Sequence, residues 1–496
     1  MEKYVLAIDQ GTTSTRAILF DHEGHNISSA VREVTNLFPH EGWVEIDPLK
    51  IWISAVDVVN EVMIKADITM NQIDSIGITN QRETAIVWDK KTGKPVYNAV
   101  VWQSRQSVEI CEEFEHQKEF IHYKTGLLIN PYFSASKIRW ILDHIKNGQE
   151  RAENGELLFG TVDTWLIYRM TRGATFATDV SNASRTMLYN IFTLKWDEEL
   201  LKLFNIPKCM LPEVKSSSED YGVASYFSDK VHIYGVAGDQ HASLFGHNCF
   251  NPGDSKNTYG TGCFMLMNTG EKPILSHNGL LTTIAWKIGD KVCYALEGSV
   301  FIGGAAVQWL RDGLRAIDKS SDSEEEASRV EDSDGIYVVP AFVGLGTPYW
   351  DDDVRGAVFG ITRATTKAHL IRATLEGVAY QSKDVFEVME KESKIKISSL
   401  QVDGGATANN ILMQFQSDVL QIELKKPVCL ETTAMGVAYL AGLASGFWKD
   451  FGDIKSKHKY AKVYKPAMDK KTASEKIRGW KLAVEAARVF KPKKRV

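Results

Sequence analysis

The sequence predicts an α/β protein built from two related halves. Short apolar runs bounded by Gly, Thr and Ser turns alternate with longer segments of helical period, the pattern of helices covering sheets. A strand–polar turn–strand unit at the N-terminus returns near mid-chain, with Gly11 and Gly260 lying 249 positions apart in 496 residues. At about 150 residues per domain, this length accommodates two large domains or three ordinary ones.

In chain order, residues 4–8 and 17–21 are apolar strands around the polar tip 9–16, a β-hairpin, with a further turn at 22–25. Asp47-Pro48 starts a helix, because Ile51, Trp52, Ala55, Val58, Val59 and Val62 fall on one face. Residues 75–79 form a strand running into Asn80-Gln81-Arg82-Glu83-Thr84, and 85–88 is strand-like again. An apolar strand over 231–237 ends at Gly238-Asp239-Gln240. In the second half, strands at 257–259 and 264–268 flank Gly260-Thr261-Gly262, and helices are expected over 300–314, 367–391, 409–420 and 432–445. The halves meet near Asn251-Pro252-Gly253, giving domains 1–250 and 251–496. Residues 319–331, rich in Ser and Glu, read as an exposed turn or helix surface, and the basic tip 491–496 as a solvated terminus.

The 58 Lys and Arg nearly balance 63 Asp and Glu, a formal charge of −5, which excludes a broadly basic nucleic-acid binder. No apolar run approaches the ~20 residues that span a bilayer. The N-terminus reads as a strand rather than a secretion leader. The six cysteines contain no CxxC pair, which favours reduced thiols and a cytoplasmic protein.

Several segments carry chemistry. In Asp9-Gln10-Gly11-Thr12-Thr13-Ser14-Thr15-Arg16 a glycine turn lets backbone amides approach an anion, and hydroxyls and Arg16 add donors for phosphate oxygens. Asp9 suits Mg2+, which prefers oxygen ligands. The same letters also describe a plain hairpin with a polar tip. Gly260-Thr261-Gly262 would supply a second set of amides, so that two hairpins clamp a polyphosphate from opposite sides. Asp403-Gly404-Gly405 and the following Asn409 allow backbone to pass close to a planar ligand or simply to cap a helix, and Gly303-Gly304 with Gln308 is similar. Asp239, at a strand end beside glycine, is placed to accept a proton from a hydroxyl, or to cap the next helix. Arg82 and Glu83 offer donors and an acceptor for vicinal hydroxyls, or form an ordinary ion pair; Trp102, Tyr132 and Phe264 could wall such a site or belong to the core.

Together these segments resemble the FGGY family of carbohydrate kinases. One family signature resembles Tyr132-Phe133-Ser134-Ala135-Ser136-Lys137-Ile138-Arg139-Trp140, and another Gly356-Ala357-Val358-Phe359-Gly360-Ile361 with His369-Leu370 and Ala373-Thr374-Leu375-Glu376. Asn80 to Thr84, Val101-Trp102-Gln103, Ala237 to Gln240 and Tyr259 to Phe264 are similar to the branch that acts on glycerol. The match runs from the first strand to about Trp448.

The resemblance implies a duplicated actin-like, ribonuclease-H-like ATPase fold with ATP and substrate in the cleft between two domains. It implies glycerol held by Arg82, Glu83, Tyr132, Asp239 and Gln240 against Trp102 and Phe264. It implies ATP at Thr12, Thr13, Ser14, Arg16, Thr261, Gly304, Gln308, Gly405 and Asn409, and Mg2+ near Asp9 and Asp239. Asp239, Asp9 and Arg16 would be catalytic, with Asp239 the base, and the assembly a homodimer or homotetramer. His241 stands where the family pattern has glutamine, and Gln103-Ser104-Arg105-Gln106 also departs from it. The loop 221–230 has no histidine, so control by phosphorylation there is not carried over. A xylulose or gluconate kinase and an actin-like nucleotide switch are the competing readings.

Overall fold

The structure, a computed structural model, describes residues 2–490. The basic tip 491–496 lies outside them. The principal strands are β1 (Tyr4–Gln10), β2 (Ser14–Phe20), β3 (Asn26–Glu33), β4 (Ile73–Asn80), β5 (His232–Gly238), β6 (Ser255–Tyr259), β7 (Cys263–Gly270), β8 (Leu281–Ile288), β9 (Lys291–Val300), β10 (Ser399–Asp403), β11 (Glu423–Pro427) and β12 (Tyr460–Tyr464). The helices that bear on function are α1 (Pro48–Ala66), α2 (Asp239–Gly246), α3 (Gly304–Gln308), α4 (Asp322–Ala327), α5 (Lys367–Ser393), α6 (Asn410–Leu420) and α7 (Thr432–Ser445).

The strands form two sheets of the same topology. The first has the order β5-β4-β1-β2-β3, with β1, β2 and β3 antiparallel to their neighbours and β4 and β5 added in parallel. The second repeats this as β11-β10-β6-β7-β9, with β8 and β12 added at the two edges. The repeated hairpin seen in the sequence is therefore the first step of a repeated five-stranded sheet. This is the duplicated actin-like, ribonuclease-H-like fold.

Local chemistry accounts for the elements. Asp47 caps α1 by accepting from Leu49 N at 2.9 Å, and Pro48 occupies the first helical position, where a missing N–H costs nothing. The buried face of α1 carries Ile51, Trp52, Ala55, Val58, Val59 and Val62, as its period requires. Asn409 caps α6 through Leu412 N at 3.0 Å. The segment 300–314 is not one helix. α3 ends at Gln308 and the chain widens into a π turn over Trp309–Gly313, where Gly313 leaves room for the Trp309 ring.

Helix α7 crosses from the second half onto the first sheet, between β4 and β5 on one side and α2 on the other. It is apolar all round and buried along most of its length, as a covered helix must be. Its contact with α2 depends on two glycines. A Cβ at Gly436 would lie 1.8 Å from Ala242 O, and one at Gly246 would lie 2.0 Å from Thr432 O. Gly436→Ala is therefore expected to destabilise the protein by about 3 kcal/mol or more, since neither backbone can yield cheaply. A urea midpoint equal to that of the unsubstituted chain would contradict so close a crossing.

Candidate active site

The first sheet brings together the ends of β1, β4 and β5. On the first hairpin Asp9 and Arg16 are cross-strand partners, and Gly11 N donates to Ser14 O at 2.8 Å to close the tip. Thr12 Oγ1 accepts from Trp102 Nε1 at 2.9 Å, Thr12 and Ser14 are half-buried, and Thr13 is exposed. Arg16 reaches Glu431 at 3.0 Å just before α7. Burial pushes the Asp9 carboxyl up to about 7; Arg16 opposes this, and Asp239 and Glu431 add to it. The second hairpin tip is tied to the start of α3, with Gly304 N donating to Gly260 O at 2.8 Å and Ala305 N to Thr261 O at 3.1 Å.

At the ends of β4 and β5 lies a buried nest of charges. Arg82 Nε approaches Asp239 Oδ1 at 3.0 Å, and its two terminal nitrogens grip Glu297 at 2.5 and 3.1 Å. Arg185 Nε donates to Glu83 at 2.6 Å and its Nη2 to Glu297 at 3.2 Å. The Arg185 and Glu297 side chains are 0% exposed. Burial would push Glu297 up, but Arg185 and Arg82 more than reverse this and hold it well below the ordinary carboxylate range. For Glu83 burial prevails over the same two cations, and its carboxyl is raised. Glu83 also has φ 61°, a left-handed conformation that non-glycine residues adopt at a cost of order 1–3 kcal/mol. Gly238 is required beside this nest, because a Cβ there would meet the Arg82 chain at 2.7 Å.

Trp102 and Tyr132 meet edge-to-face with centroids 5.2 Å apart, forming one wall. Phe264 pairs across β9 with Ser299, while Leu266 pairs with Glu297. Phe264 thus lies on the same sheet face as Glu297, the face that meets the first half. Gln240 is engaged by its neighbour, Lys256 Nζ donating to Gln240 Oε1. Burial pulls the Lys256 ammonium down to about 8, against the field of Asp403 and Asp239. His241 is a buried residue of α2, its Nε2 bonded to Thr283 Oγ1 at 2.9 Å, and burial holds it neutral.

A cavity of about 450 Å³ opens between the second hairpin, α3, α4 and the start of α6. Thr261, Gly304, Gln308, Gly405 and Asn409 all line it, together with Ser320, Ser321, Ser323 and Glu324. Gly404 has φ 89° because a side chain would strike Tyr259 O at 2.5 Å, whereas Gly405 faces open space. The Ser/Glu-rich patch is therefore not merely solvated surface. Ser323 is buried and accepts from Asn409 Nδ2 at 3.2 Å, and Glu324 accepts from Asn410 N at 3.0 Å.

Comparison with known proteins gives this geometry a lineage. The profile of the FGGY family of carbohydrate kinases, N-terminal domain, matches residues 4–246, and that of the C-terminal domain matches residues 255–445. The chain belongs to the FGGY family of carbohydrate kinases. It is 58% identical, over 99% of both chains, to a protein of Oceanobacillus iheyensis named glycerol kinase. The crystal structure of Plasmodium falciparum glycerol kinase with ADP superposes with a TM-score of 0.92 at 37% identity, covering 98% of each chain. A gluconate kinase from Lactobacillus acidophilus shares the fold, with a TM-score of 0.88 at 22% identity over 99% of this chain and 98% of that one.

Within this FGGY kinase, Arg185, Glu297, Lys256 and the residues of α4 were not singled out by motif. The available signal was charge out of place: Glu297 follows Tyr294-Ala295-Leu296, and Lys256 opens a strand that packs on both faces. The raised Asp9 gives a stability test with a definite sign. The unfolded carboxyl ionises near 3.8, the folded one at about 7, so the native state holds the extra proton between these values and loses stability as pH rises through them. Asp9→Asn is expected to raise the melting temperature of the nucleotide-free protein at pH 8, by an effect on the order of 1 kcal/mol after allowance for the open crevice. The gap should narrow as pH falls toward 5; a gap that widens instead rules out this assignment.

Proposed function

We propose that this FGGY kinase transfers the γ-phosphoryl group of ATP to glycerol, forming sn-glycerol 3-phosphate as an ATP:glycerol 3-phosphotransferase. The observation that carries the reading is the setting of Asp239. Its Oδ1 pairs with Arg82 Nε at 3.0 Å and accepts from Gln240 N at 2.7 Å, leaving Oδ2 to take a substrate hydroxyl proton. Arg82, Glu83, Tyr132, Gln240, Trp102 and Phe264 surround the same place in this reading. The nest holds three carboxylates, Asp239, Glu83 and Glu297, against two guanidiniums, Arg82 and Arg185, which disfavours an anionic polyol such as gluconate. The 58% identity to a protein named glycerol kinase supports the three-carbon choice.

ATP is assigned to the crevice between the hairpins. Thr12, Thr13, Ser14, Arg16 and Thr261 would meet the phosphates. Gly304, Gln308, Gly405 and Asn409 would meet the nucleoside, in a cavity whose Gly405 wall is left open. Asp9 and Asp239 fit Mg2+: the Asp239 charge raises the cost of ionising Asp9, and two carboxylates with phosphate oxygens suit that ion. Mg2+ would supply neutralisation of phosphate charge. The chain's own part is positioning and electrostatic stabilisation, which dominate phosphoryl transfer because the transition state is loose and carries its charge on equatorial oxygens. Asp239 receives the hydroxyl proton as that oxygen attacks phosphorus in line. Closure of the two halves keeps water out and limits idle hydrolysis. A homodimer or homotetramer in the cytoplasm belongs to the same reading by resemblance. Among the described residues no helix is long and apolar enough to cross a membrane.

A panel of polyols with ATP and Mg2+, followed by ADP release, is expected to rank glycerol first. Preference for a five-carbon sugar would sink the assignment. Asp239→Asn is expected to lower phosphotransfer by roughly 10²–10⁴-fold with ADP binding retained; unchanged turnover would remove Asp239 from its role.

A further inference from the structure

Glu297 is the one carboxylate in the charge nest supplied by the second sheet, where it pairs with Leu266 on β7. Its two oxygens are divided between two cations of the first half: Oε2 lies 2.5 Å from Arg82 Nη1, and Oε1 lies 3.1 Å from Arg82 Nη2 and 3.2 Å from Arg185 Nη2. A guanidinium has five N–H donors in a rigid fork. On Arg82 this clamp and Asp239 occupy three, so two donors remain, one on each terminal nitrogen. On Arg185, Nη1 is buried and has no partner within the chain. The fork directions, and hence the directions of the unused donors, are set by Glu297 together with Glu83 on Arg185 and Asp239 on Arg82.

We infer that Glu297 is a positioning residue of the polyol site: acting from across the crevice, it orients Arg82 and Arg185 so that their spare donors meet the hydroxyls of a small neutral polyol. The inference rests on the glycerol reading above and deepens it. The site is then assembled from both halves of the chain. Arg82 links it to the chemistry, since the same guanidinium that Glu297 clamps is ion-paired with Asp239 Oδ1 at 3.0 Å. A purely structural ion pair predicts something different, namely loss of folding with no selective effect on the polyol.

The test compares Glu297→Gln, which keeps the shape and loses the charge, with Glu297→Asp, which keeps the charge and withdraws it by one methylene. Glycerol KM and kcat, ADP affinity by calorimetry and melting temperature are measured for both. In Glu297→Gln, glycerol KM is expected to rise on the order of tenfold or more, with ADP affinity within about twofold of the parent. Glu297→Asp should recover part of the KM loss. A folded Glu297→Gln with unchanged glycerol KM overturns the inference. So does a parallel fall of ADP affinity, glycerol use and melting temperature in both variants, or failure of both to fold, because each marks a structural role only. Should Glu297→Gln alone fail to fold, the KM of Glu297→Asp decides, a rise supporting the inference and no change overturning it. The polyol panel on the unsubstituted chain is run first, so an error in the choice of substrate shows there, independently of Glu297.

Discussion

Two guanidiniums without access to water impose the main constraint on this molecule. Removing an ion from water costs several kcal/mol even after relaxation, so Arg82 and Arg185 must be matched by anions at close range. Glu83, Glu297 and Asp239 provide them, from three separate elements. Meeting that demand fixes much else. Glu83 accepts a left-handed backbone, Gly238 gives up a side chain, and the second sheet must lie against the first closely enough for Glu297 to reach.

A second layer of hydrogen bonds holds the nest in place. Buried Asp179 caps the single helical turn Val180–Ala183, accepting from Asn182 N at 2.9 Å and Ser181 N at 3.0 Å. Ser181 Oγ in turn accepts from Gly238 N at 2.9 Å, and Asn182 exchanges hydrogen bonds with Asn80 at 3.0 and 3.1 Å. Asn80, two residues before Arg82, and Gly238, just before Asp239, are thereby fastened to one anchor. On the other side, Asp403 gathers His247 at 3.1 Å and Ser243 at 3.1 Å, with Thr432 bonded to the same oxygen, joining β10, α2 and α7. Polar groups this deep are stabilising only when satisfied, and the bonded set around Asp179 meets that condition, which makes the arrangement rigid where positioning matters.

Much of this was legible because site residues cluster at strand ends, where an apolar run stops at glycine and a charged residue. Asp9 and Asp239 obey that rule, Arg82 marks a strand end without the glycine, and the glycine pairs at 260–262 and 404–405 mark turns with their own punctuation. Helix boundaries at Asp47 and Asn409 were legible for the same reason, since capping is local chemistry. What escaped was non-local. Glu297 lies inside a strand and acquires meaning only when Arg82, more than two hundred positions earlier, arrives opposite it. The Ser/Glu patch looked solvated because its composition is polar, yet Ser323 is buried against Asn409. The π turn after Gln308 answers to the packing of Trp309 rather than to helical period. Gln240 was expected, by resemblance, to help hold glycerol; Lys256, which no motif marked, holds its oxygen and orients the amide.

The placement of α7 has a consequence for how the chain is made. One face of the first sheet presents Val5, Ala7, Ile18 and Phe20, which share a core with Val437, Ala438, Leu440 and Trp448. All strands of that sheet leave the ribosome by residue 238. Their cover arrives roughly two hundred residues later, about 10–40 s at ordinary elongation rates. For that interval an apolar sheet face stays bare on a nascent polypeptide, until the last quarter of translation delivers the missing lid.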